Sequence, residues 1–102
     1  MTDYAADVKK YDAGASDEII GKIVRHLGIA LRSRDASMVA CSDPKELGRV
    51  VDKWCGKKLG VSGATAEDAV AAVCEMMKAD NSKARVTFYY LVAKQLGKLG
   101  SL

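Results

Sequence analysis

The sequence predicts an all-α fold, a single compact domain of about five helices over residues 1–102, and three observations carry that expectation. Pro44, the only proline, stands where a helix can begin. Apolar residues recur three and four apart along several segments. Helix-starting and helix-stopping residues flank those segments. The length suits one modest core, and 49% apolar with 28% charged residues is ordinary for a globular chain.

The first helix is expected from about Asp3 to Tyr11, with Tyr4, Val8 and Tyr11 on one face. It is short and needs docking to persist. Asp12-Ala13-Gly14 breaks it. Ser16 caps a second helix, Asp17 and Glu18 complement its dipole, and Ile19, Ile20, Ile23, Val24 and Leu27 form its stripe before Gly28 ends it. Ile29-Ala30-Leu31 reads equally as a helical extension or an apolar connector. Ser33 or Asp35 then opens a single turn through Ala40, with Met38 and Val39 inward.

A capped helical hairpin follows, at about 44–59 and 66–78. Asp43 is the N-cap, Pro44 the first helical residue, and Glu46 sits where it closes a capping box. Leu47, Val50, Val51, Trp54, Cys55 and Leu59 make the stripe. Gly60 supplies a left-handed stop, and Thr65 caps the second member, whose stripe is Val70, Val73, Cys74 and Met77. A last helix is expected at about 82–96. Val86 to Val92 has strand composition, but no second strand exists to pair with it. A helix apolar nearly all round must be largely buried.

The net charge of +3 is distributed in blocks. Residues 1–18 carry −3, 19–41 carry +3, 44–60 carry +3, 61–81 carry −3 and 82–102 carry +4. Alternation of this kind suits the solvated edges of neighbouring helices better than a polyanion. The N-terminus has no signal-peptide pattern, and the longest apolar run, Phe88 to Ala93, is far below the roughly 20 residues of a membrane helix. Cys41, Cys55 and Cys74 are odd in number and widely spaced, which reads as neither a disulfide framework nor a metal pair, with Cys55 and Cys74 as small buried hydrophobes. A reducing, cytoplasmic location is expected.

Each motif is weighed against a structural explanation. Leu59-Gly60-Val61-Ser62 followed by Thr65 resembles the turn of a DNA-reading helix-turn-helix, but Glu67 and Asp68 stand where basic groups are needed. Residues 35–46 match a calcium loop at Asp35, Ser37, Asp43 and Glu46, yet have Val39 in place of a ligand and Ala40 in place of the turn glycine. His26 is the only histidine, so no two-histidine metal site exists within one chain. The glycines follow no phosphate-binding pattern. No catalytic residue, metal or cofactor is expected.

Two surfaces remain as candidates. Phe88-Tyr89-Tyr90 places three rings around one helix, so one of Tyr89 and Tyr90 can reach a partner. Lys22, Arg25, Arg32 and Arg34 make a candidate basic patch, although a solvated rim explains them as well.

The blocks Asp3 to Tyr11, Gly28 to Ser37 and Arg85 to Leu91 resemble a family of small bacterial proteins of unknown function, of about this chain's length. The resemblance implies a compact helical fold with helix pairs arranged like EF-hands, and no activity or site residues. The expectation is therefore a non-enzymatic module that binds a protein partner or a second copy of itself, without membrane contact. The alternative is a nucleic-acid-binding protein that uses the basic patch.

Overall fold

A computed structural model describes residues 4–28, 39, 41–61, 63–78 and 84–101. Among the described residues, five α-helices form: α1 (Tyr4–Tyr11), α2 (Asp17–Leu27), α3 (Pro44–Arg49), α4 (Ala64–Met76) and α5 (Arg85–Gln95). A π-helical segment, Val50–Lys58, continues α3, and a 3₁₀ turn, Leu99–Ser101, closes the chain. The Cα radius of gyration is 12.2 Å, near the roughly 13 Å of a compact domain of this size.

Helix α5 is the axis of the fold. All eight residues from Val86 to Ala93 are buried, and α1, α2, α4 and the π segment pack around them. The strand-like composition of this stretch thus reflects burial on every side, with the helix satisfying its own backbone. The core continues through Val8, Ile20, Ile23, Val50, Trp54, Val70, Val73 and Met77. Val39, expected to face inward, is also buried; Met38, expected to join it, lies outside the described residues.

The ends of the elements correct several expectations. Asp43 caps α3, its carboxylate accepting the Lys45 N–H at 3.0 Å. Glu46 does not close the capping box; it turns inward to meet Arg85 on α5. Gly60 is left-handed as expected, at φ +71°. Helix α4 starts earlier than Thr65, with Gly63 at φ 72° in the cap position, because a left-handed residue redirects the chain there.

Where one uninterrupted α-helix is expected over 44–59, the structure changes pitch at Val50. The Leu59 N–H donates five residues back, to the Trp54 carbonyl at 3.0 Å. The buried residues explain the wider turn. Glu46, Val50, Trp54 and Leu59 recur every four to five positions, too long a step for about 3.6 residues per turn. A π segment keeps all of them on the buried side, where Trp54 reaches Tyr89 of α5.

Short helix α1 is held to α5 by its acids. Thr87 donates to Asp7, which also pairs with Lys10 at 3.0 Å. Asp12 accepts from the Tyr90 hydroxyl at 2.7 Å, pairs with Lys94 at 3.1 Å and receives the Gly14 N–H at 3.2 Å. The Tyr90 and Lys94 contacts hold the Asp12 carboxyl below its ordinary value of 3.8. Burial, and then the facing carboxylate, push Tyr90 from 10.0 up to about 12.

The signs of these shifts predict two pH limits. A depressed carboxyl stabilises the fold above its ordinary pKa, and that contribution disappears as pH falls through the lower folded value. The stability difference between wild type and Asp12→Asn is therefore flat around neutral pH and closes in acid solution, as pH falls through and below 3.8. A raised phenol stabilises fully below pH 10.0 and loses its contribution as pH climbs towards about 12. Urea titrations across pH test both; an alkaline loss that Tyr90→Phe retains in full assigns it to another group.

Candidate cleft between α3 and α4

Helix α3 and the π segment present two apolar faces. Glu46, Val50 and Trp54 are buried, with Glu46 and Trp54 reaching α5, whereas Leu47 and Val51, one turn apart, stay half-buried beside α4. The facing side of α4 carries Glu67, Val70 and Ala71. Between them lies a cleft of about 340 Å³, also lined by Pro44, Gly48 and Asp52. Its walls are apolar, and the exposed carboxylates of Asp52 and Glu67 give its rim a negative character. This arrangement suits an apolar side chain or two with a cationic group alongside. A smaller cleft of about 240 Å³ opens between the start of α4 and the end of α5, at Thr65, Asp68, Ala69, Gln95 and Leu96.

At one end of the larger cleft, Cys41 and Cys74 form a disulfide with a Cα–Cα distance of 5.9 Å across 33 residues. This corrects the reading of the cysteines as unpaired. Cys41 precedes the cap of α3, and Cys74 lies near the end of α4, one turn beyond Val70. The hairpin brings those two ends together, so the bond joins the two walls. Cys55 remains free and fully buried, and burial pushes its thiol up to about 11.

On the buried side of α3 runs a polar chain that carries little sequence signal. The Glu46 carboxylate pairs with Arg85 and, at 3.2 Å, with Arg49. Arg85 donates to the Tyr89 hydroxyl at 3.2 Å, and its guanidinium lies 5.7 Å from the centre of that ring. Tyr89 packs on Trp54 with centroids 4.7 Å apart, and the Trp54 indole N–H donates to the Tyr89 carbonyl at 3.0 Å. His26 lies 5.1 Å from Trp54 on the outer side. Desolvation, with Lys58 adding repulsion, lowers the His26 pKa below 6.5. Burial raises the Tyr89 pKa, despite the opposing effect of Arg85.

The candidate aromatic surface is not formed. Tyr89 is 7% and Tyr90 2% exposed, so both rings belong to the core and neither is available to a partner. Their hydroxyls are used internally, by Arg85 and Asp12. A helix enclosed by its neighbours on all sides leaves no outward face for adjacent rings. In the candidate basic patch, Lys22 and Arg25 lie on α2, with Lys22 3.8 Å from Glu18. Arg32 and Arg34 lie outside the described residues, as do residues 35–38 and 40 of the calcium-like loop and the whole of the 29–38 segment. The exposed start of α4 presents Glu67 and Asp68, which keeps it unsuited to phosphates.

Among the described residues, no helix is long and apolar enough to cross a membrane. Comparison with curated proteins finds no match. A family model described as "Protein of unknown function (DUF2853)" matches residues 3–100, nearly the whole chain. The full-length resemblance read from the sequence is thus substantiated, and the chain belongs to that family of unknown function.

Proposed function

We propose that this protein is a non-enzymatic, cytoplasmic interaction module whose α3–α4 cleft takes a short apolar segment of a protein partner, next to a Lys or Arg side chain. The single observation that supports this reading is the cleft itself: Leu47, Val51, Val70 and Ala71 form apolar walls, and Asp52 and Glu67 form an anionic rim. Apolar contacts supply affinity in such a site, and rim carboxylates select a cation and steer its approach. The cleft lining offers no nucleophile paired with a base, which is why binding is favoured over catalysis.

Gly48 provides the cleanest test. It lies in the cleft wall, and a Cβ added there meets no atom within 4 Å. Gly48→Ala is expected to stabilise the exposed helix by about 0.5–1 kcal/mol, since glycine is a poor helix former. Gly48→Leu fills the cleft from the same position. In a random-peptide display selection, wild type is expected to enrich peptides combining apolar residues with Lys or Arg. Their affinity should fall at least about tenfold in Gly48→Leu. Absence of enrichment, or binding indifferent to that substitution, removes the cleft reading. Salt-sensitive binding to DNA or RNA in its place supports the nucleic-acid alternative, and light scattering reads self-association.

A further inference from the structure

We infer that Cys41 and Cys74 form a reversible thiol–disulfide exchange site, taking small thiol or dithiol reductants and their disulfides as co-reactants, which fastens and releases one end of the α3–α4 cleft. Its chemistry stands alone; its consequence for ligand entry rests on the cleft reading proposed above.

Three observations carry the inference. Cys41 and Cys74 both lie at the margin of the core, half-buried rather than enclosed by it. The third cysteine is a built-in contrast, since Cys55 is fully buried on the inner side of the π segment. The core is also complete without the cross-link. Ala66, Val70, Val73 and Met77 already anchor α4, and Glu46, Val50 and Trp54 anchor the other arm of the hairpin. Breaking the bond therefore frees the approach to Asp43 from the end of α4 while both arms stay attached to α5. Disulfides in reducing compartments are in general transient ones, so the reducing location proposed for this chain and an observed disulfide are reconciled by exchange.

The exchange balances simply. A reductant thiolate attacks one sulfur of the Cys41–Cys74 bond and expels the other as a thiolate, leaving a mixed disulfide. A second reductant thiol resolves it. Two electrons and two protons end on Cys41 and Cys74, and the reductant departs as its own disulfide. Oxidation is the reverse, with that disulfide as the electron acceptor.

The test equilibrates the intact folded chain in buffers of reduced and oxidised glutathione, quenches with an alkylating reagent and reads each cysteine by peptide mass spectrometry. Cys41 and Cys74 are expected to titrate together between blocked and alkylated, with Cys55 protected throughout. Hydrogen exchange should then quicken about tenfold on reduction at the amides of residues 41–49 and remain unchanged in α5. Alkylation of Cys55 in step with the pair means that the bond holds the whole fold, and overturns the inference. So does a bond that resists reduction until denaturant is added, or a pair never oxidised in any buffer. The double variant Cys41→Ser, Cys74→Ser should fold and show the reduced exchange pattern in every buffer; failure to fold also overturns it. A failed peptide selection removes the cleft's ligand and leaves this titration standing, so the two readings fail separately.

Discussion

Trp54→Ala is expected to lower the unfolding free energy by about 3–5 kcal/mol, the largest loss from any single truncation in this core. The ring is 1% exposed and lies where the π segment meets α5. Removing it leaves a void against Tyr89, whose ring centre is 4.7 Å away, and removes the donor that reaches the Tyr89 carbonyl at 3.0 Å. A domain of this size has roughly 5–15 kcal/mol in total, so the variant loses a large share of its stability and should unfold at a distinctly lower temperature. Trp54→Phe separates the two contributions. It keeps much of the packing and deletes the indole N–H, with an expected loss of about 1–2 kcal/mol. Far-UV circular dichroism in urea is the suitable readout, because the only tryptophan is the residue removed. A loss for alanine no greater than that for phenylalanine denies Trp54 its role in joining the π segment to α5.

The same residue shows how far the sequence could be read. Trp54 was legible as a core position, since it shares a helical stripe with Val50 and Cys55. The pitch of its helix was not, because periods of about 3.6 and of four to five residues are hard to separate over so few turns. The stripe from Glu46 to Leu59 distinguishes them only once Glu46 is known to be buried, and a carboxylate gives no such signal. Tyr89 and Tyr90 were misplaced for a related reason. Three adjacent rings around one helix imply that one faces outward, but α5 is enclosed all round, and Arg85 and Asp12 satisfy the two hydroxyls internally, through contacts 4 and 78 residues away in sequence.

The disulfide was hidden differently. Counting cysteines argued against it, because three cannot all pair within one chain and Cys55 fits a core stripe. Yet the predicted hairpin contained the answer. Once the first arm begins at Pro44 and the second ends near Met76, the turn between them brings Cys41 and Cys74 side by side. Topology carried the information that composition lacked. The cleft, by contrast, was half legible: Leu47, Val51 and Val70 stood out as stripe residues, but only packing shows that the two arms stay far enough apart to leave an open space.

Glu46→Leu is expected to destabilise the protein by about 3–5 kcal/mol, far beyond any exposed ion pair. The Glu46 and Arg85 side chains are each 11% exposed, so the substitution strips a guanidinium of its carboxylate in a site with little water. Arg85→Leu should cost less than Glu46→Leu, because Glu46 retains Arg49 at 3.2 Å, and Arg49 is 64% exposed and can follow it towards solvent. Combining Glu46→Leu with Arg85→Leu should restore much of the loss, since removing both charges leaves neither to be solvated. The internal control is Lys78→Ala, which breaks the Glu75 pair at 2.7 Å, where both side chains are more than 70% exposed; it should cost less than about 1 kcal/mol. A double-mutant cycle in urea measures the coupling directly. Strictly additive single losses would show that the pair contributes through separate packing. Strong coupling would mean that Glu46, drawn inward from its capping position, is what ties α3 to the start of α5 and so sets where the inner wall of the cleft lies.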